Sequence, residues 1–121
     1  MSTINLTSDS FESTTSTGLV LVDFWAAWCA PCRMFGPIFE AAASTHQDIT
    51  FAKVDTEAEQ GLAASMGIMS IPTLMAFRDG ILLYSQAGAL PAPALEQLIS
   101  QLRAVDMDAV RAQIETEEAR R

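Results

Sequence analysis

Cysteine, histidine and lysine are all scarce in this chain of 121 residues: two cysteines, Cys29 and Cys32, one histidine, His46, and one lysine, Lys53. Structural zinc takes four ligands, and a chain this poor in cysteine and histidine does not supply them from its own set. Basic residues are also few, seven against fifteen acidic ones, for a net charge of −8. Phosphate backbones and anionic membranes call for a basic surface, so neither nucleic acid nor membrane is an expected partner. Long apolar runs are missing as well. The longest, residues 18–32, is interrupted by Asp23 and is too short to span a bilayer. The opening MSTINLTSDSF has neither the basic start nor the apolar core of a secretory leader, so the expected location is the cytoplasm. There, two cysteines rest as thiols and a permanent disulfide is out of place. No glycine-rich nucleotide fingerprint is present, so no bound cofactor is expected and electrons must come from a partner protein.

What the chain does contain is half hydrophobic and suits one domain with one core. Leu19-Val20-Leu21-Val22-Asp23-Phe24-Trp25 reads as a strand covered on both faces, central in an α/β sheet. Before it, residues 4–6 form a short apolar segment. Thr7 or Asp9 has the chemistry to cap a helix from Ser8, Asp9 and Glu12 having capping-box spacing, and the Ser/Thr run 13–17 marks a loop. After the strand a helix over 31–45 is expected, with Pro31 in its first turn, Pro37 kinking it and Met34, Phe35, Ile38, Phe39 and Ala42 facing the core. His46 reads as a surface residue. Residues 49–54 form another strand, and 57–66 a helix stopped by Gly67. Asp79-Gly80 between the apolar runs 73–77 and 81–84 is a hairpin signal. Pro91 and Pro93 then lead into a helix with the stripe Leu95, Leu98, Ile99, Leu102 and Val105. Met107, Val110 and Ile114 form a second stripe, rotated too far around to continue the first. A break near Asp106, capping a short helix, follows from that, with a fraying charged end over 115–121. The division expected is a domain over 1–105 and a helical extension over 106–121. The order β-α-β-α-β-α-β-β-α gives a mixed sheet flanked by helices on both faces.

Cys29 and Cys32 admit several readings. As a staple they close a loop of about four residues, for roughly 2 kcal/mol of chain entropy against about 4.7 for a 100-residue loop. As metal ligands they are two where four are wanted. They are also candidates for inert core residues. As a redox pair they have a mechanism. Cys29 follows a buried strand and begins the Pro31 helix, where free N–H groups and the dipole favour a thiolate. Cys29, exposed, then attacks a substrate disulfide, and Cys32, buried one turn on, releases the product.

The segment DFWAAWCAPCR resembles the active-site stretch of the thioredoxin family, and four further stretches match: Lys53-Val54-Asp55, Ser70-Ile71-Pro72-Thr73, Phe77-Arg78-Asp79-Gly80 and Gly88-Ala89-Leu90. The likeness runs over about residues 4–105. It implies a five-stranded thioredoxin fold and a protein-disulfide reductase with a reversible Cys29–Cys32 disulfide. Cys29 would be the nucleophile and Cys32 the resolving thiol. Asp23 would be a buried carboxylate managing the Cys32 proton, with Lys53 as its partner. Pro72 would follow a cis bond opposite the disulfide, and Ile71 would offer its backbone to the substrate chain. Trp28, Ala30, Pro31, Gly88 and Ala89 would complete the groove, with Trp25 packed close by. The implied partners are protein disulfides and an NADPH-dependent thioredoxin reductase, and the implied state is a monomer. Independently of the resemblance, a carboxylate within an apolar strand is costly unless it has a partner or a task.

The sequence departs from the family pattern at Ala30, where glycine is usual, at Arg33, where lysine is common, at Met69 and Ser70, and in the extension after Val105. An alternative function is a binding or chaperone module using the same groove without turnover. A glutathione-linked oxidoreductase of the glutaredoxin type is disfavoured by Ala30-Pro31 and the acidic surface.

Overall fold

A computed structural model describes residues 3–120. Its elements are β1 (Thr3–Asn5), α1 (Phe11–Thr15), β2 (Leu19–Trp25), α2 (Ala30–Thr45), β3 (Thr50–Asp55), α3 (Gln60–Ser65), β4 (Thr73–Arg78), β5 (Ile81–Ala87), α4 (Ala92–Ala104) and α5 (Met107–Ala119). The five strands form one sheet in the order β1-β3-β2-β4-β5. β3 runs parallel to β1 and β2, while β4 is antiparallel to β2 and β5.

β2 is central because its sequence leaves no polar face: Val20, Leu21, Val22, Asp23 and Phe24 are all fully buried. Alternation along the strand divides these side chains between two layers. Val20, Val22 and Phe24 join Phe11, Val54, Leu62 and Phe77 in the core on the α1 and α3 side. Leu21 joins Phe35, Phe39, Phe51, Leu95, Leu98 and Ile99 on the α2 and α4 side. Asp23 shares the Leu21 face by parity, so it points into the layer that α2 covers.

α2 turns Phe35, Phe39 and Ala42 inward, with Ile38 partly buried. Met34, expected in that stripe, is 71% exposed, because one position before Phe35 is about a quarter-turn away from the buried line. The helix passes through Pro37 and continues to Thr45. The first helix is shorter than expected. Residues 7–10 form a turn in which the Ser10 hydroxyl accepts from the Thr7 amide, and α1 begins only at Phe11 without a side-chain cap. The Asp9–Glu12 capping box does not form. α3 also starts late, at Gln60, because Asp55 ties up the preceding residues: its carboxylate accepts from the amides of Glu57 at 2.9 Å and Ala58 at 3.3 Å.

The hairpin at Asp79-Gly80 is present, with φ +52° and +85°, the left-handed pair that a two-residue turn with right-twisted strands demands. The break after α4 is present too. Val105 is extended, and the Asp106 carboxylate accepts from the Ala109 amide at 3.1 Å, opening α5. Met107 is buried, Arg111 pairs with Asp79 at 3.1 Å, and Arg78 donates to the Leu102 and Val105 carbonyls at the end of α4. α5 extends to Ala119, through most of the segment expected to fray; Arg121 lies outside the described residues. His46 is not a free surface residue. It bridges Glu96 at 2.8 Å and Arg103 at 3.1 Å, joining the end of α2 to α4. The Arg103 guanidinium in turn holds the Asp48 carboxyl down at about 2.

Candidate active site

The carboxyl end of β2 leads through Ala26 and Ala27 to Trp28 and then Cys29, the N-cap of α2. Cys29 Sγ accepts from the Cys32 amide at 3.3 Å, so the sulfur occupies a helix N-terminus and uses one of its free donors. Pro31 has no N–H to leave unsatisfied in that turn. Cys29 and Cys32 are paired at disulfide distance, with Cα atoms 5.2 Å apart. Both residues are only 4% exposed, so Cys29 is not the exposed member that the spacing suggested. The two differ in what they face. Cys29 lines a surface groove and Cys32 does not. Ala26, Trp25 and Ile71 pack with them in a small apolar cluster.

Opposite the pair lies the loop 70–72. Its Ile71–Pro72 bond is cis, and the Ile71 carbonyl is 3.6 Å from Cys29 Sγ. Pro72 is buried, and its carbonyl accepts from the Gly88 amide at 2.8 Å, which seats the 88–89 segment beside the loop. Gly88 has φ +110°, open to glycine and unfavourable for other residues.

The groove has a volume of about 650 Å³, within the range of ligand sites. Trp28, Ala30, Pro31 and Ile71 line it, as expected from sequence; Gly88 and Ala89 do not, although both are exposed nearby. Its far wall, Met69 and Ser70 apart, is built from residues that no motif of the sequence marks. Thr56, Glu57 and Gln60 come from the carboxyl end of β3 and the start of α3, with Ala63 and Ala64 behind them and Ile68, Met69 and Ser70 at the lip. Thr56 is held there by two hydrogen bonds to the Trp25 carbonyl. Trp28 is 65% exposed and Met69 97%. The usable signal was position: sites of open α/β sheets lie at the carboxyl ends of strands, and residues 56–60 follow one.

Asp23 is fully buried, and neither of its oxygens has a hydrogen-bond partner among the described residues. Burial pushes its carboxyl up to about 7, the Lys53 ammonium pulling it down and Glu40 adding to the rise. Asp23 and Lys53 are register partners across β2 and β3. They form no ion pair, however. Lys53 Nζ sits over the Trp25 ring, 4.8 Å from its centroid, and acts on Asp23 through space. No cluster among the described residues has the ligands to hold a metal ion.

A cysteine pair opening a helix at the edge of a buried strand, faced by a cis-proline loop, defines a thiol–disulfide exchange centre on a mixed five-stranded sheet. Comparison with known proteins agrees. Residues 2–101 match the thioredoxin family. A putative thioredoxin 2 of Streptomyces coelicolor is 49% identical over 119 residues, covering 98% of this chain and 89% of that one. A Bacillus subtilis thioredoxin is 38% identical over 102 residues, covering 84% and 98%. The crystal structure of a thioredoxin from Malassezia sympodialis superposes with a TM-score of 0.75 at 31% identity, covering 84% of this chain and 93% of that one. The chain belongs to the thioredoxin family, and its activity is thiol–disulfide exchange.

Proposed function

We propose that the protein reduces disulfides of other proteins, with Cys29 as nucleophile and Cys32 as resolving thiol. The observation that carries this order is that Cys29 caps α2 and faces the groove while Cys32 does not. In the reduced protein the helix N-terminus favours the Cys29 thiolate. The thiolate attacks one sulfur of the substrate disulfide; the Cys29–substrate bond forms and the first substrate thiolate leaves. Cys32, deprotonated, then attacks Cys29 Sγ, closing the Cys29–Cys32 disulfide and expelling the second substrate thiolate. Substrate is reduced by two electrons and the protein is oxidised by two.

Asp23, on the face covered by α2 and poised near neutrality, is the group that accepts the Cys32 proton. Lys53 keeps its carboxyl from rising further. Pro72 shapes the groove opposite the pair, and the Ile71 backbone pairs with the substrate chain as an added strand. Trp28, Ala30 and Pro31 form the contact wall, with Gly88 and Ala89 receiving the chain beyond Pro72.

The oxidised protein is recharged by an NADPH-dependent thioredoxin reductase, acts as a monomer, and works in the cytoplasm, where its pair is kept reduced. Residues 1–105 form the catalytic domain and 106–121 an extension fastened to it by Met107 and the Arg111–Asp79 pair. The test is a coupled assay with NADPH, thioredoxin reductase and a protein disulfide. NADPH oxidation that requires all components and disappears in Cys29→Ser supports the reading. Insulin reduction by dithiothreitol that the protein fails to accelerate overturns it. A double Cys→Ser variant with full function in cells would instead favour a binding or chaperone role.

A further inference from the structure

The groove beside Cys29 is mostly apolar, yet it contains one charge. Among the described residues that line it, Glu57 alone is ionisable besides the cysteine itself. Its backbone is fixed at the end of β3: the Glu57 amide donates to Asp55 Oδ1 at 2.9 Å, and its carbonyl accepts from Gln60 Nε2 at 3.2 Å. Its carboxylate has no hydrogen bond and no ion pair within the described residues. The other carboxylates of this region are occupied. Asp55 holds two amides, and Glu59 accepts from the Ser8 amide at 2.9 Å. Trp28, on the same groove, presents an indole that is 65% exposed.

An unpaired carboxylate and an open aromatic surface in one groove recognise the same chemistry. A cationic side chain can pair with the first and lie against the second. Among the described residues no basic side chain lines the groove. Arg33 donates to the Ala27 carbonyl at 2.9 Å, and the Lys53 ammonium sits over Trp25. The net charge of −8 acts in the same direction at longer range, drawing basic partners in and repelling acidic ones.

We propose that Glu57 is a specificity-determining residue, which makes the protein prefer disulfides flanked by lysine or arginine. This rests on the disulfide-exchange reading above and adds the substrate class. An exposed ion pair of this kind corresponds to about a 1.5- to 5-fold effect on kcat/KM. It is screened by salt over a Debye length of about 8 Å at physiological ionic strength.

The experiment compares three otherwise identical disulfide peptides whose cysteines are flanked by Lys, Ser or Glu. Each is reduced by wild type, Glu57→Gln and Glu57→Lys, with dithiothreitol regenerating the protein. The readout is the ratio of kcat/KM for the Lys peptide to that for the Glu peptide, in which any general loss of activity cancels. Wild type should rank Lys above Ser above Glu. The ratio should fall about 1.5- to 5-fold in Glu57→Gln, fall further in Glu57→Lys, and shrink for wild type in 0.5 M salt. A ratio that both variants leave at the wild-type value overturns the role of Glu57 while leaving disulfide exchange intact. A wild type that reduces none of the three peptides overturns the exchange reading, and the preference with it.

Discussion

Asp23→Asn is the perturbation whose consequence the structure fixes most closely. The side chain is fully buried in the middle of β2, with no hydrogen-bond partner for either oxygen among the described residues. Its carboxyl is raised from an ordinary 3.8 to about 7, by burial first and against the pull of Lys53. The folded state therefore holds the Asp23 proton more tightly than the unfolded chain does. Stability then falls as pH rises from about 4 to about 7, and the loss is complete above the folded value. At 1.36 kcal/mol for each pH unit between the two values, the cost of ionising Asp23 is about 4 kcal/mol. Asparagine has the same shape and never ionises. Urea unfolding of the oxidised proteins at a series of pH values is the assay. Near pH 4 the two proteins should have similar stability. At pH 8 Asp23→Asn should be more stable by about 4 kcal/mol, a large share of the 5–15 kcal/mol typical of a domain. A difference that does not change between pH 4 and 8, or a variant that is less stable at pH 8, would refute the claim that Asp23 is buried without compensation.

The same variant bears on chemistry: having no carboxylate to take the Cys32 proton, it should slow release of the mixed disulfide at pH 7, read by stopped-flow tryptophan fluorescence. Lys53→Met removes the ammonium that lowers the Asp23 carboxyl, so the inflection of the pH–rate profile should move upward from about 7. Phe39→Ala deletes a fully buried ring packed on Phe35 and Phe51, and should cost about 3–5 kcal/mol in denaturant unfolding. Ending the chain after Val105 removes buried Met107 and the Arg111–Asp79 pair. It should lower the melting temperature with little change in insulin reduction, since neither contact touches the groove.

Much of the fold is legible in the sequence, because several of its signals are local. An apolar run with one carboxylate marks β2. Asp79-Gly80 dictates its own turn, and two incompatible stripes require the break at Asp106. The ends of α1 and α3 are not legible in the same way. They depend on which turn or side chain takes up the preceding amides, and the Thr7–Ser10 turn and Asp55 outcompete the expected starts. His46 looks like a surface residue until folding places Glu96 and Arg103, each at least fifty positions away, on either side of its ring. The site divides similarly. Trp28, Ala30 and Pro31 are read from one contiguous motif. Thr56, Glu57 and Gln60 are polar residues with no periodicity, and only the crossing from β3 to α3 brings them to the groove beside Cys29, whereas Met69 and Ser70 stand out in the sequence as departures next to Ile71. Lys53 reads as the partner of Asp23, and the two are in register across β2 and β3, but an alternation pattern cannot show that the ammonium settles on Trp25 instead of the carboxylate.

The central claim is that Cys29 attacks and Cys32 resolves. Its most direct test is to incubate Cys29→Ser and Cys32→Ser separately with a disulfide substrate and to measure the intact masses. Cys32→Ser should accumulate a covalent adduct, carried by Cys29 and released by dithiothreitol, while Cys29→Ser stays unmodified. Adduct on Cys32 in Cys29→Ser, with none on Cys29 in Cys32→Ser, would contradict the account.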